Sequence, residues 1–140
     1  MKITIIGGGN IGGAIAGGLA ASTLMKASDL TVADPSAAAL ERIKGLNSAI
    51  RTSQDNAAAV EGADLIILAV KPWLAEEVSA TFRDKLDFDR QCLASVVAGV
   101  SFEKLKTMLD NGKDVRPALL RLIPNTAISL RESVTFIASD

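Results

Sequence analysis

A chain of 140 residues, nearly half of them apolar, is about one domain's worth of sequence and can bury a substantial core. A formal charge of −1 with no run of Lys or Arg argues against a nucleic-acid-binding face. One cysteine and no histidine exclude a disulfide framework, a clustered metal site and histidine-based catalysis within these residues, and the absence of tyrosine removes a phenolic acid as well.

The first predicted strand, residues 2–6, runs into Gly7-Gly8-Gly9-Asn10-Ile11-Gly12-Gly13 and an alanine-rich helix over 10–21. This is a G-x-G-x-x-G pattern between a strand and a helix, the context in which that spacing builds a phosphate site. Gly7 allows the sharp turn and Gly9 a close approach of backbone to a pyrophosphate. Gly12 lets the helix pack on the strand, with its N-terminus offering amides and partial positive charge to the anion.

A second strand, 30–33, ends at Asp34. An acid there can accept from the adenosine ribose hydroxyls and repel a 2′-phosphate, which favours NAD over NADP. The alternative is a helix entry, because Asp34-Pro35-Ser36 also suits the start of the next helix, 36–44. Arg42 lies close enough in sequence to serve a 2′-phosphate, so NADP stays open. A short strand at 49–51 and a helix at 55–61 follow.

Residues 65–70 are apolar at every position, as in a strand covered on both faces. Pro72 starts a helix over 72–82 and holds Lys71 extended. Lys71 can set its backbone against a ligand and its ammonium near a carboxylate or phosphate; a solvated loop lysine is the alternative. The strand at 92–98 contains Cys92, expected as a buried thiol, and ends in Ala98-Gly99-Val100, small enough to admit a flat ring but equally explained by packing. Ser101 caps a helix at 102–109. Strands at 118–123 and 134–138 close the chain, and Asn125 and Thr126 between them can line a cleft or form a simple turn. Alternating strands and helices predict an α/β fold of the doubly wound Rossmann type, a mostly parallel sheet with helices on both faces.

Taken in series, these segments resemble pyrroline-5-carboxylate reductase, the enzyme of the last step of proline synthesis. The landmarks are Ile6 to Gly13 with Ala14 and Gly18-Leu19, then Ala63-Asp64, Ala69-Val70-Lys71-Pro72, Ser95 with Ala98-Gly99-Val100, and Arg121-Leu122-Ile123-Pro124-Asn125-Thr126. The resemblance implies that residues 1–140 are the family's N-terminal NAD(P)-binding domain. Gly7, Gly8, Gly9, Asn10, Ile11, Gly12, Asn56, Ala69, Val70, Lys71, Pro72, Ala98 and Gly99 would then meet the cofactor. It implies reduction of a small cyclic imino acid with hydride from NAD(P)H, a homo-oligomeric cytoplasmic enzyme, and neither a metal nor an identifiable catalytic side chain here.

Two departures stand out. The family usually reads Met-Pro-Asn-Thr-Pro where this chain has Ile123-Pro124-Asn125-Thr126-Ala127, and many members prefer NADPH and carry a small, polar or basic residue where Asp34 stands. The family's C-terminal helical domain, which forms the dimer and much of the substrate pocket, is not among these residues, so weak cofactor binding and little turnover are expected. The alternatives are a related NAD(P)- or F420-dependent reductase of another substrate, or a non-catalytic nucleotide-binding module.

Overall fold

The computed structural model describes residues 1–113, 118–130 and 132–140. Among the described residues seven strands form one sheet: β1 (Ile3–Ile6), β2 (Leu30–Ala33), β3 (Arg51–Ser53), β4 (Leu65–Leu68), β5 (Cys92–Ser95), β6 (Ala118–Pro124) and β7 (Thr135–Ser139). Their order across the sheet is β3-β2-β1-β4-β5-β6-β7. The first six are parallel. Strand order therefore reverses beside β1, and a crevice opens there at the carboxyl ends of the strands.

Among the described residues five α-helices lie in the crossovers: α1 (Asn10–Ala20), α2 (Ala37–Leu46), α3 (Asn56–Val60), α4 (Ala75–Ala80) and α5 (Phe102–Leu109). The alternation of β1 sorts them. Ile3 and Ile5 join Ala16 of α1 and Ile43 of α2 on one face, whereas Ile6 joins Val60, Ala75 and Leu105 of α3, α4 and α5 on the other. Thr4, also on that second face, is buried but satisfied, its hydroxyl donating to Ala59 O at 2.7 Å. Gln91 is a second satisfied core polar group, its amide donating to Val60 O and Ala63 O while its oxygen accepts from the Asp87 amide, each at 2.8 Å.

The doubly wound fold is as expected; several boundaries differ for identifiable reasons. The third strand starts at Arg51, because Asn47 still turns the chain: its side-chain oxygen accepts from the Ala49 amide and its carbonyl from the Ile50 amide. The single helix expected over 72–82 is a 3₁₀ turn, Pro72–Leu74, followed by α4. Strands β4 and β5 pair only to Leu68 and Ser95, so Ala69-Val70 and Val96-Val97-Ala98 lie past the ladder. No α-helix separates β6 from β7 among the described residues. A 3₁₀ turn, Thr126–Leu130, lets β7 return antiparallel, and every β7 residue is exposed. Cys92 is partly rather than fully buried, and that burial still raises its thiol pKa. Among the described residues, no helix is long and apolar enough to cross a membrane, and no cluster of His, Cys, Asp and Glu could hold a metal ion.

Candidate functional site

The three glycines of the loop have different physical duties. Gly7 has φ of 107°, a conformation L side chains rarely adopt, and a Cβ there would run into the Ala69 carbonyl. The loop is held from both neighbouring strands: the Gly7 amide donates to Ala33 O and the Ala69 amide to Ile6 O, both at 2.8 Å. A Cβ on Gly12 would strike the Gly7 carbonyl oxygen and lie 3.3 Å from Ile5 Cγ2, so α1 seats on β1 only with glycine at that point. Gly9 has an ordinary φ of −71°, and a Cβ there would meet nothing within 4 Å. Fold requirements explain Gly7 and Gly12. They do not explain Gly9, which keeps clear the space in front of a helix start.

That helix start has no side-chain cap. Ser36, Asp55 and Ser101 each accept an amide of the first turn of α2, α3 and α5, but Gly9 at the N-cap of α1 has no side chain to do so. The first-turn amides and the positive end of the helix dipole are left to whatever occupies the space beside Gly9. An anionic group with several acceptor oxygens, such as a diphosphate, fits this cradle.

Asp34 braces the same loop. Its Oδ2 accepts from the Gly8 amide at 2.7 Å and its Oδ1 from the Ser36 amide at 2.8 Å. The helix cap proper is Ser36, whose hydroxyl accepts from the Ala39 amide at 3.2 Å. The segment is fixed further by the Asp34 amide on Ser53 O at 3.1 Å and the Gln54 side-chain amide on Pro35 O at 2.8 Å. Each carboxylate oxygen keeps a second acceptor site.

A cleft of about 280 Å³ extends from this cradle across the strand ends. It collects Gly7, Gly9, Asn10 and Ile11 of the loop, Asp34 after β2, Asn56 at the start of α3, and Ala69, Val70 and Lys71 after β4. Apolar walls come from Pro35, Leu74, Val78 and Val96; the sequence reading placed Pro35 in a helix entry and Val96 within a strand, and gave Leu74 and Val78 no role. Leu74 and Val78 stand four apart after Pro72, the spacing that puts two side chains on one helical face, and this was the available signal. The site is thus a polar cradle joined to an apolar slot.

Other predicted residues lie elsewhere. Gly8 faces a neighbouring groove between α1 and α2, as does Arg42, so Arg42 does not line the cleft with Asp34. Pro72 holds the first position of the 3₁₀ turn without lining the cleft. Ala98 and Gly99 occupy an exposed turn after β5, with Gly99 at φ of 72°; from this strand end it is Val96 that reaches the cleft. Asn125 is a turn residue: its Oδ1 accepts from the Ala127 amide at 3.0 Å and its carbonyl from Ile128 at 3.2 Å. It lines no part of this cleft. Thr126 opens the following 3₁₀ turn, and its side chain lies outside the described residues.

The strand order, the glycine cradle and the cleft at the reversal point together define a Rossmann-type dinucleotide-binding domain. Residues 2–99 match the family described as NADP oxidoreductase, coenzyme F420-dependent, and the chain belongs to that family. It is similar to the pyrroline-5-carboxylate reductase of Pasteurella multocida (strain Pm70), with 34% identity over 136 residues that cover 96% of this chain and 47% of that protein. A solved pyrroline-5-carboxylate reductase from Coxiella burnetii superimposes with a TM-score of 0.88 at 28% identity, covering 99% of this chain and 49% of the other. The Plasmodium falciparum pyrroline carboxylate reductase, solved with NADP bound, shares the fold with a TM-score of 0.82 at 24% identity over 100% of this chain and 48% of the other. The resemblance to pyrroline-5-carboxylate reductases therefore holds along nearly the whole chain, which spans about half the length of the curated relatives it matches.

Proposed function

We propose that this chain is the NAD(P)H-binding half of a pyrroline-5-carboxylate reductase, the enzyme that reduces 1-pyrroline-5-carboxylate to L-proline. The observation that carries this reading is the joining of the open α1 cradle, Asp34, Asn56 and Lys71 in one cleft, in a chain whose relatives bear that name. In the working enzyme the nicotinamide supplies hydride to the imine carbon of the substrate. The chain's part is to bind and orient. The α1 amides hold the diphosphate, and Asp34 accepts from the adenosine ribose. The slot between Pro35 and Leu74 with Val78 takes the flat adenine, and the ends of β4 and β5 carry the nicotinamide half toward the substrate. A protonated imine already accepts hydride, so proximity and orientation supply most of what the reaction needs. This agrees with a chain that contains neither histidine nor tyrosine.

Within this reading the preferred cofactor is NADH. Asp34 is an acceptor-only group already fixed by two amides, and Arg42 lines the adjoining groove between α1 and α2 rather than the cleft. A 2′-phosphate at Asp34 would place like charges together. The cytoplasm, a homo-oligomeric whole enzyme and a cyclic imino acid substrate complete the proposal.

The test is direct. The 140-residue chain should bind NADH more tightly than NADPH in a fluorescence titration and turn over pyrroline-5-carboxylate slowly or not at all. A longer chain that includes the remaining half of the relatives' length should reduce it with NADH. Efficient turnover by the 140 residues would refute the division of labour, and a longer chain inactive on this imine would refute the substrate.

A further inference from the structure

Thr81, just past the end of α4, does not line the cleft, yet it fixes a group that does. Its hydroxyl donates to Val78 O at 2.6 Å, the bond a threonine makes to its own preceding turn. A hydroxyl has one hydrogen, so toward every other neighbour Thr81 Oγ1 is an acceptor. That neighbour is Asn56, whose Nδ2 lies 3.0 Å away. The amide nitrogen must face Thr81, because the carboxamide oxygen in its place would set two acceptors against each other. Asn56 is half-buried and lines the cleft, and its Oδ1 has no hydrogen-bond donor among the described residues.

We infer that Thr81 is a specificity-determining positioning residue: it holds the Asn56 carboxamide so that Oδ1, not the NH₂ group, is offered to the adenosine ribose. This rests on the dinucleotide reading above and deepens it. The ribose end of the cleft then presents two acceptors, Asp34 and Asn56 Oδ1. A ribose 2′-hydroxyl is a donor and satisfies such a pair, whereas a 2′-phosphate has only acceptors to offer and is left unpaired. Among the described residues lining the cleft, Lys71 is the single cation. It follows β4, and in the sheet β1 stands between that strand and the β2 end that carries Asp34. Two strand spacings are roughly 10 Å, too far for its ammonium to replace the missing donors without leaving its own wall.

The experiment compares Kd for NADH and NADPH in the full chain and three variants. Thr81→Val keeps the shape but cannot accept, so the Asn56 amide is free to turn; the NADH-over-NADPH preference should fall by about fivefold, the scale of one hydrogen bond. Thr81→Ser restores the acceptor and should keep the wild-type ratio. Asn56→Asp combined with Thr81→Val should recover the preference, because a carboxylate is an acceptor in either orientation. A change in stability alone lowers both affinities and leaves the ratio untouched, so the ratio isolates orientation from folding. The two ways of failing are distinct. A wild-type chain that binds neither dinucleotide removes the cofactor reading and this inference with it. A wild-type chain that prefers NADH, with a ratio unchanged in Thr81→Val, overturns the role of Thr81 alone.

Discussion

The Gly8 amide and the Asp34 carboxylate meet at 2.7 Å, so the acid that ends β2 also clamps the loop that ends β1. On the cofactor reading proposed above, specificity and loop geometry would then fall to one side chain. Asp34→Ser should weaken NADH binding and shift the NADH-to-NADPH ratio toward NADPH by about tenfold, and should also cost about 1–3 kcal/mol of stability as the Gly8 and Ser36 amides lose their acceptor. Paired titrations and a urea melt check both. An unchanged cofactor ratio would remove Asp34 from ribose recognition even if stability fell.

The glycines should separate in the same assays. Gly9→Val places its side chain in open space, so folding should suffer by only about 1 kcal/mol, the scale of a poor N-cap residue, while dinucleotide affinity falls about a hundredfold or more. Gly12→Ala must move α1 away from the Gly7 carbonyl and should cost about 3 kcal/mol through overpacking. A Gly9→Val chain that still binds NADH would place the pyrophosphate elsewhere.

Lys104 joins α5 to α4 through Glu76, with Nζ and Oε2 2.8 Å apart. That hydrogen bond and the ammonium charge hold the Glu76 carboxyl below its ordinary pKa. A depressed carboxyl contributes stability above its unfolded pKa and loses it as pH falls through the lower folded value. Lys104→Met should return the Glu76 titration, followed by NMR, to the ordinary glutamate range. Both side chains are exposed, so the melting temperature at neutral pH should hardly move. A Glu76 titration unmoved in this variant would mean that the pair does not persist in solution.

Burial alone raises the Cys92 thiol. A group with a raised folded pKa contributes stability below its unfolded pKa and loses it as pH climbs toward the folded value, so the effect falls on the alkaline side. Near pH 8 the native thiol should react with a disulfide reagent about tenfold more slowly than in the unfolded chain. Cys92→Ser should flatten the alkaline loss of stability. Equal labelling rates in native and unfolded protein would contradict the burial.

Much of the site was legible because sterics leave few choices. Gly7 and Gly12 are demanded by carbonyls that any strand–turn–helix of this spacing brings close, and the apolar run over 65–70 reads as a buried strand, which the structure forms over Leu65–Leu68. What the sequence concealed depends on single hydrogen bonds. Asn47 delays β3 by two residues, Asn125 uses its side chain on its own turn, and Thr81 reaches Asn56 from 25 positions away. Periodicity carries no record of such bonds, because each depends on where two elements come to rest. The resemblance to a reductase family covered this gap for Asn56, but it did not reveal Thr81.

The pairing of β1 with β4 joins Ile3 to Leu65 and Ile6 to Leu68, across sixty-two positions of sequence, and this pairing is the seam between the two halves of the sheet. Asp34 and Asn56 approach the cleft from one half, Lys71 and Val96 from the other. On the proposed reading, a dinucleotide spanning them would act as a rivet. Its binding energy adds to the stability of the assembled halves and to neither half alone. Amide protons of β1 and β4 should therefore gain protection together as cofactor is added, while those of the exposed β7 exchange as before.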